Sequence, residues 1–172
     1  MWNFFKRERP VEYRVKETKL VQKHFDFLFE QGFSIIHAES PKHFNNWLID
    51  LQSKSLRIQL AEDRSELIVR IGPKEATTGW HGSPFWHLQF FVFHLTNDFR
   101  SAPRWFYTKK MEEAAKILKD YFSQIENIIL ENDYQTLEND LAKAGNTFSR
   151  KWEPEIEKEM EQIVKKALGR IK

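Results

Sequence analysis

The stretch WLIDLQSKSLRIQLAEDRSELIVRIG, residues 47–72, decides the fold that we predict for this chain. Apolar and mostly polar residues alternate in three runs within it, so each run places one apolar set on one face of an extended strand. Short polar segments, QSKS and AEDRSE, separate the runs as hairpin loops do. The pattern predicts an antiparallel meander with one face turned inward and the other largely wet. The inward set is Trp47, Ile49, Leu51, Leu56, Ile58, Leu60, Leu67, Val69 and Ile71.

The residues before the meander predict a helix and one further strand. Apolar residues follow helical spacing over about 16–31, and Gly32 stands where a glycine lets the chain leave a helix in a left-handed conformation. The run FSIIHA, residues 33–38, is short and β-rich and is followed by the segment ESP. It predicts a first strand, which makes the sheet four-stranded.

The segment after the meander, TTGWHGSPFWHLQFFVFHL, is the most aromatic part of the chain and covers residues 77–95. Serine is a favoured helix N-cap and proline is favoured at the first helical position, so Ser83 and Pro84 predict a helix over about 84–96. The alternative is a strand buried on both faces, because periodicity alone does not distinguish the two in a short apolar run.

The C-terminal third is predicted to be helical. Thr108 can cap a long helix in which apolar residues recur at three- and four-residue steps up to Ile129. A shorter helix over 134–145 is predicted to end at Gly145. A further helix over 154–169 is predicted to start at Pro154.

The order of these elements predicts an α+β fold: an N-terminal helix, an antiparallel four-stranded meander packed by helices, and a helical C-terminal third. We interpret residues 1–172 as a single α+β domain with a helical C-terminal extension over about 133–172. That extension either docks on the core or packs on a second copy of the chain, which would give a homodimer through the C-terminal helices.

Composition excludes several classes of protein. The chain has 172 residues, 41% of them hydrophobic, and can bury a substantial core. It lacks a bilayer-length apolar run and the pattern of a secretory signal, so we expect a cytoplasmic protein with no membrane segment. It has no cysteine, no phosphate-binding glycine loop, no G-x-S-x-G and no H-E-x-x-H. We therefore expect neither an enzyme nor a cofactor.

The charge pattern argues against a nucleic-acid binder. The net charge is only +2, and most of the positive excess lies in the first 23 residues. A nucleic-acid-binding face usually needs enough clustered positive charge to release several counterions. One short basic arm is more typical of a solvated terminal segment.

The histidines of the aromatic segment are the best candidates for chemistry. In a helix over 84–96, His87 and His94 lie on one side, and His81 can fold back towards them from the loop, an arrangement that would suit zinc. Metal sites more often use acids or cysteines at tighter spacing, so we interpret each histidine as solvated or hydrogen-bonded and predict no metal. The acids around the outer face and hairpin are interpreted as turn-forming and solubilising charges. These acids are Asp50, Glu62, Asp63 and Glu66.

The tryptophans divide into a core residue and possible contact residues. Trp47 is in phase with the inward face of the meander, so we predict it to be buried. For the other tryptophans, which are near loops, we favour packing in the core over contact with a partner. If their loops are exposed, these tryptophans mark a recognition surface. With the neighbouring histidine, the candidate partner-binding residues are Trp80, His81, Trp86 and Trp105.

The stretch from HFDFLFEQGFSII through the meander to the tryptophan of GWHGSPFWHL resembles small α+β bacterial immunity-type proteins of polymorphic toxin systems. In those families, a helix ending in Gly-Phe leads to a meander with a W-x-[VI]-x-L strand and an Asp-Arg turn. A loop tryptophan and helices follow. The resemblance covers about residues 20–96, and it implies a non-enzymatic protein that neutralises a toxin by binding it directly.

Two alternatives stay open. A nucleic-acid-associated protein would use the arm KRERP and the basic residues up to Lys23, with aromatic residues for stacking. A small-molecule or metal-dependent enzyme would use His81, His87 and His94 in an aromatic pocket. The remaining basic residues of the arm are Arg14, Lys16 and Lys19.

Overall fold

The computed structural model describes residues 16–40, 46–64, 66–98, 101 and 111–168. They form an α+β fold in which five antiparallel strands pair in chain order, β1-β2-β3-β4-β5. The predicted fold class is confirmed, but a fifth strand joins the predicted four. The elements are α1 Thr18–His24, α2 Asp26–Glu30, β1 Ser34–Glu39, β2 Trp47–Gln52, β3 Leu56–Asp63, β4 Glu66–Pro73, β5 Trp86–His87, α3 Leu88–Thr96, α4 Met111–Glu131 and α5 Tyr134–Leu168.

The predicted N-terminal helix is two short helices that meet at Phe25. The backbone of Phe25 leaves the helical region, with φ −107° and ψ 31°. Phe25, Phe27 and Leu28 are all buried. A straight helix would point the first two of these in opposite directions, so the break allows all three to reach the core. Gly32 has φ +85° and ends α2 as predicted.

The core lies on the predicted inward face of the meander. Every residue of that set is at most 4% exposed, Trp47 included. α4 packs against β4 and α1, and Phe122 of α4 meets the rings of Phe27 and Phe33 edge-on. The apolar stripe of α4 therefore covers one face of the sheet.

The other face of the sheet is not largely wet, and that prediction is wrong at its centre. Leu48, Asp50, Gln59 and Ala61 all belong to this face and are all fully buried. The chain between β4 and β5 covers it, as described below, and alternation by itself carries no information about what a later loop will cover.

The aromatic segment combines both structures that the sequence left open. Trp86 and His87 pair with Ile71 and Arg70 of β4 as a short fifth strand, and the helix begins only at Leu88. The predicted helix start at Ser83 and Pro84 is therefore wrong, and the N-cap is His87, which has an extended backbone. Pairing of Trp86 and His87 with the edge of β4 therefore outweighed the capping preference of Ser83 and Pro84.

The C-terminal third is two helices, where three were predicted. α4 confirms the long helix. The predicted helix end at Gly145 and the predicted helix start at Pro154 are wrong, because α5 runs unbroken for 35 residues. An ideal Cβ on Gly145 would lie 3.0 Å from Cζ of Phe90, so this glycine serves close packing of α5 on α3. The buried residues of α5 are Leu137, Leu141, Ala144 and Phe148.

Within the described residues, no helix is both long and apolar enough to cross a membrane.

Candidate functional site

A row of polar residues crosses the covered face of the sheet, one residue from each strand. Asp50 of β2 pairs with His37 of β1 and with Gln59 of β3. Gln59 pairs with Arg70 of β4, which pairs with His87 of β5. Cross-strand partners on one face are close neighbours, so five polar side chains stand side by side. We call these residues the polar row.

Residues 74–85, which we call the cover loop, lie against the polar row. The backbone N–H of Gly79 donates to Oδ2 of Asp50, and Nε2 of Gln59 donates to the carbonyl of Gly79, each at 2.9 Å. Arg57 donates to the carbonyl of Ala76. Side chains of the sheet therefore hold the cover loop through its backbone.

The cover loop is also closed on itself and packed tightly on the strand before it. Thr77 and Ser83 are joined by a backbone hydrogen bond of 2.9 Å, and the amide of Ser83 donates to Oγ1 of Thr77 at 3.0 Å. A Cβ on Gly72 would lie only 2.2 Å from the carbonyl oxygen of Pro84. Only glycine fits where the loop returns to the sheet.

Asp50 is the only acid in the polar row, and its carboxylate is fully engaged. It has no exposed surface, and it accepts hydrogen bonds from Gly79 and from Nε2 of Gln59. Burial raises the pKa of Asp50 above its usual 3.8. The two hydrogen bonds and the charges of His37 and Arg57 act in the opposite direction.

Arg70 has no matching partner. Its Nε is buried without a hydrogen bond, and no hydrogen bond or ion pair joins its guanidinium to any residue that the structure describes. Burial lowers the pKa of Arg70, and the charge of Asp50 acts in the opposite direction. Arginine stays protonated in proteins, so the row holds a cation without a bound counter-charge.

His87 is neutral at pH 7. Burial, and then the positive charge of Arg70, lower the pKa of His87 from 6.5 to about 4. At the other end of the row, Nε2 of His37 lies 3.6 Å from Oε1 of Glu39, which is too long for a hydrogen bond.

In the part of the chain that the structure describes, five buried side-chain atoms lack a hydrogen-bond partner, and four of them belong to this region. Buried polar atoms normally have partners, and exceptions indicate water, a ligand or a functional role. The polar row and Trp80 of the cover loop supply four of the five, and Gln89, two residues after His87, supplies the other. The atoms are Nε2 of His37, Oε1 of Gln59, Nε of Arg70, Nε1 of Trp80 and Oε1 of Gln89.

The structure separates the four predicted partner-binding residues. Trp80 is half-buried and His81 is exposed, both in the cover loop. Trp86 is only 7% exposed, and its Nε1 donates to Glu138 of α5 at 2.6 Å. It is a core residue, because β4, α3 and α5 enclose it, and this burial leaves little of it for contact with a partner. Trp105 lies outside the described residues.

The histidines of the alternative metal site do not come together. His81 and His94 are exposed, whereas His87 belongs to the polar row. Among the described residues, no group of three or more His, Cys, Asp or Glu side chains could hold a metal ion.

The acids predicted around the outer face and hairpin also divide, and Glu62 falls in the inward phase because it pairs with Trp47 and Leu67. Glu62 accepts a hydrogen bond from Nε1 of Trp47, and Asp63 accepts one from Asn46. These two hold the hairpin end of the sheet, and only Asp50 belongs to the polar row.

The basic arm of the nucleic-acid alternative is largely undescribed. KRERP and Arg14 lie outside the described residues, and Lys16, Lys19 and Lys23 are exposed.

Sequence reasoning missed the polar row, although a signal for it was present. Asp50, Gln59 and Arg70 all fall on the outward phase of the alternation. Asp50 and Gln59 are about equally far from the β2–β3 turn, and Gln59 and Arg70 are about equally far from the β3–β4 turn. Hairpin register could have aligned them. His87 was not predictable in this way, because it joins the sheet after a long connection.

A separate surface groove of about 600 Å³ is lined by the end of α2, the β2–β3 turn and α4. Gly32, Ser53, Phe122 and Glu126 are among its lining residues. Ser55 donates a hydrogen bond to Glu126 there, at 2.8 Å. It contains none of the unpartnered buried atoms, so we place the candidate site at the polar row and cover loop.

No protein-family model, curated protein or solved structure matches this chain. The resemblance to immunity-type proteins accordingly stays a prediction.

Proposed function

We propose that this chain is a non-enzymatic protein-binding module whose recognition surface is the cover loop. The observation that carries the proposal is the fixation of Gly79 by the buried side chains of Asp50 and Gln59. The next two residues, Trp80 and His81, reach the surface. A loop already held in one conformation loses little conformational entropy on binding, and tryptophan is enriched among the residues that dominate interfaces.

Binding is better supported than catalysis by the same residues. Both oxygens of Asp50 are engaged by hydrogen bonds, which leaves the row without a free carboxylate to act as a base. The hydroxyl of Thr77, one candidate nucleophile in the cover loop, is itself bonded to the backbone of Ser83. The row has no nucleophile next to a base, which covalent catalysis requires.

The finer proposal is that the partner is a toxin that this protein neutralises by direct binding, as in immunity-type proteins. It is supported by the sequence resemblance over residues 20–96. The cover loop lies within that range, so the proposed recognition surface belongs to the part of the chain that carries the resemblance.

Affinity capture from the source cell, followed by mass spectrometry, tests the proposal. We expect the wild type to recover one protein in stoichiometric amount, and Trp80→Ala to reduce the recovery by about tenfold or more, since interface anchors contribute about 2 kcal/mol. His81→Ala should weaken capture. His94→Ala, which removes an exposed histidine from α3, is the matched control and should leave capture unchanged.

Circular dichroism of each variant checks that the fold is intact. The absence of a stoichiometric partner, or a partner held equally well by Trp80→Ala, would overturn the proposal. For the finer proposal, the captured protein is expressed with either form of the chain. A toxin should stop growth with Trp80→Ala and permit growth with the wild type.

A further inference from the structure

The guanidinium of Arg70 is the least satisfied charged group in the described residues. It is half-buried, its Nε is enclosed without a hydrogen bond, and no carboxylate of a described residue lies within 4 Å of it. Withdrawing a cation from water without a partner costs free energy that folded proteins normally offset with a carboxylate or hydrogen bonds. A binding site for a separate anion would explain why Arg70 is kept in this state.

The neighbours of Arg70 in the polar row do not supply its guanidinium with a counter-charge. Asp50 is the nearest acid of the row, but Gly79 and Gln59 occupy its oxygens. His87 on the other side is neutral at pH 7. Arg57 adds a second positive charge on the same face, one row away. The carboxylate of Glu39 lies on this face beside Gly79, so Asp50 and Glu39 balance the two arginines in number. Arg57 is hydrogen-bonded to Gln52 and Ala76, whereas Arg70 makes no hydrogen bond to a described residue.

A second donor of the region is also unpaired. The indole N–H of Trp80 is buried and has no acceptor among the described residues. Trp80 directly follows Gly79, whose carbonyl accepts a hydrogen bond from Gln59, the cross-strand partner of Arg70. An arginine fork and a neutral N–H donor together match the oxygens of a carboxylate or phosphate.

We propose that Arg70 anchors a binding site for a small oxyanion, a carboxylate or a phosphate, on the polar row beside the cover loop. The guanidinium donates two parallel hydrogen bonds to the oxygens of the anion, and the Trp80 indole N–H donates a third. This site requires no protein partner, so it stands independently of the function proposed above.

Titration of the isolated full-length chain tests the site. Sodium phosphate and sodium succinate are the two probes, each against sodium chloride at equal ionic strength. Nitrogen-15 NMR should show saturable shifts of the Arg70 Nε–H and Trp80 Nε1–H signals, and the Tm should rise with the logarithm of anion concentration. A response to phosphate alone, succinate alone or both identifies the chemistry and supports the site.

Variants separate binding from a merely structural role. Arg70→Met should abolish the response and raise the Tm measured without anion, because it removes a half-buried charge that has no partner among the described residues. Arg70→Lys keeps the charge and should weaken the response, because it loses the paired donors. Arg150→Met removes an exposed arginine of α5 and is the matched control, which should respond like the wild type.

Two outcomes would overturn the site: no response to either probe beyond the chloride control, or an unchanged response in Arg70→Lys and, if it folds, in Arg70→Met. Neither outcome affects the capture experiment on Trp80→Ala and His81→Ala. Trp80 belongs to both proposed sites, so retained protein capture by Arg70→Met would show that capture does not require a bound anion.

Discussion

Asp50, Arg70 and His87 are ordinary titratable residues whose ionisation is shifted by their position in one cross-strand row. Burial favours the uncharged form of each, raising the pKa of Asp50 and lowering the pKa values of Arg70 and His87. The three differ in how they are compensated. Asp50 accepts two hydrogen bonds and His87 is neutral, whereas Arg70 stays charged without a hydrogen bond to any described residue.

We predict that His87 makes the protein less stable below neutral pH. Its folded pKa of about 4 lies below the ordinary 6.5, so between these values the unfolded chain binds a proton that the folded chain does not. The free energy of unfolding should fall as pH decreases through this window, by at most about 3 kcal/mol at 1.36 kcal/mol per pKa unit. NMR titration should place the pKa of His87 near 4, and urea unfolding at several pH values should show the loss.

His87→Gln isolates this contribution, because glutamine stays neutral at every pH. The wild type should lose stability relative to His87→Gln as pH falls from 6.5 to about 4, whereas His94→Gln should behave like the wild type. A measured pKa near 6.5 would contradict the burial of His87.

Among the elements, α5 shows how a packing contact overrides a local signal for the end of a helix. Glycine normally disfavours a helix interior, by about 1 kcal/mol relative to alanine. Gly145 nevertheless lies inside α5, with the Phe90 ring of α3 close to where a Cβ would project. The ring contact, the Trp86–Glu138 hydrogen bond and the edge-on contact of Phe148 with Phe93 join α5 to β5 and α3.

We predict that Gly145→Ala has opposite effects in two backgrounds. In the wild type it should destabilise the protein by about 1 kcal/mol, since crowding against Phe90 outweighs the better helix propensity. In the Phe90→Ala background the obstruction is gone, and the same change should stabilise by about 1 kcal/mol. Urea unfolding of the four proteins gives the coupling energy, and additive effects would show that the ring does not restrict this position.

The whole molecule places its core on one face of the sheet and a polar, covered site on the other. Helices pack against the first face, and the cover loop lies against the second. Whether the C-terminal helices also form a homodimer stays a prediction, which light scattering at increasing protein concentration would test.

We predict that the cover loop is held in place at Gly79 and is not mobile along its whole length. The amide of Gly79 donates to a buried carboxylate, whereas the amide of His81 has no hydrogen bond to any described residue. In hydrogen exchange, Gly79 should be slower than His81 by about a hundredfold, as a local opening cost of about 3 kcal/mol implies. Gln59→Ala should remove much of that protection, and equally fast exchange of Gly79 and His81 in the wild type would contradict a fixed loop.

The sequence by itself determined the α+β class, the three strands of 47–72, their core face and the long helix α4. These follow from periodicities of 2.0 and 3.6 residues, which depend only on neighbouring positions along the chain. The end of α2 at Gly32 is equally local. Trp80 and His81 are candidates because they are aromatic or polar residues in a glycine-containing loop, and their role in binding stays a prediction.

Tertiary structure alone decided the fifth strand, the continuity of α5 through Gly145 and the cover over the polar row. Each depends on a meeting between distant residues: Trp86 with the edge of β4, Gly145 with Phe90, and Gly79 with Asp50 and Gln59. An alternating strand shows which side chains share a face, but the chain that later covers that face decides whether they are wet or buried. That is why Asp50 and Arg70 look like surface charges in the sequence and stand in a candidate binding site in the fold.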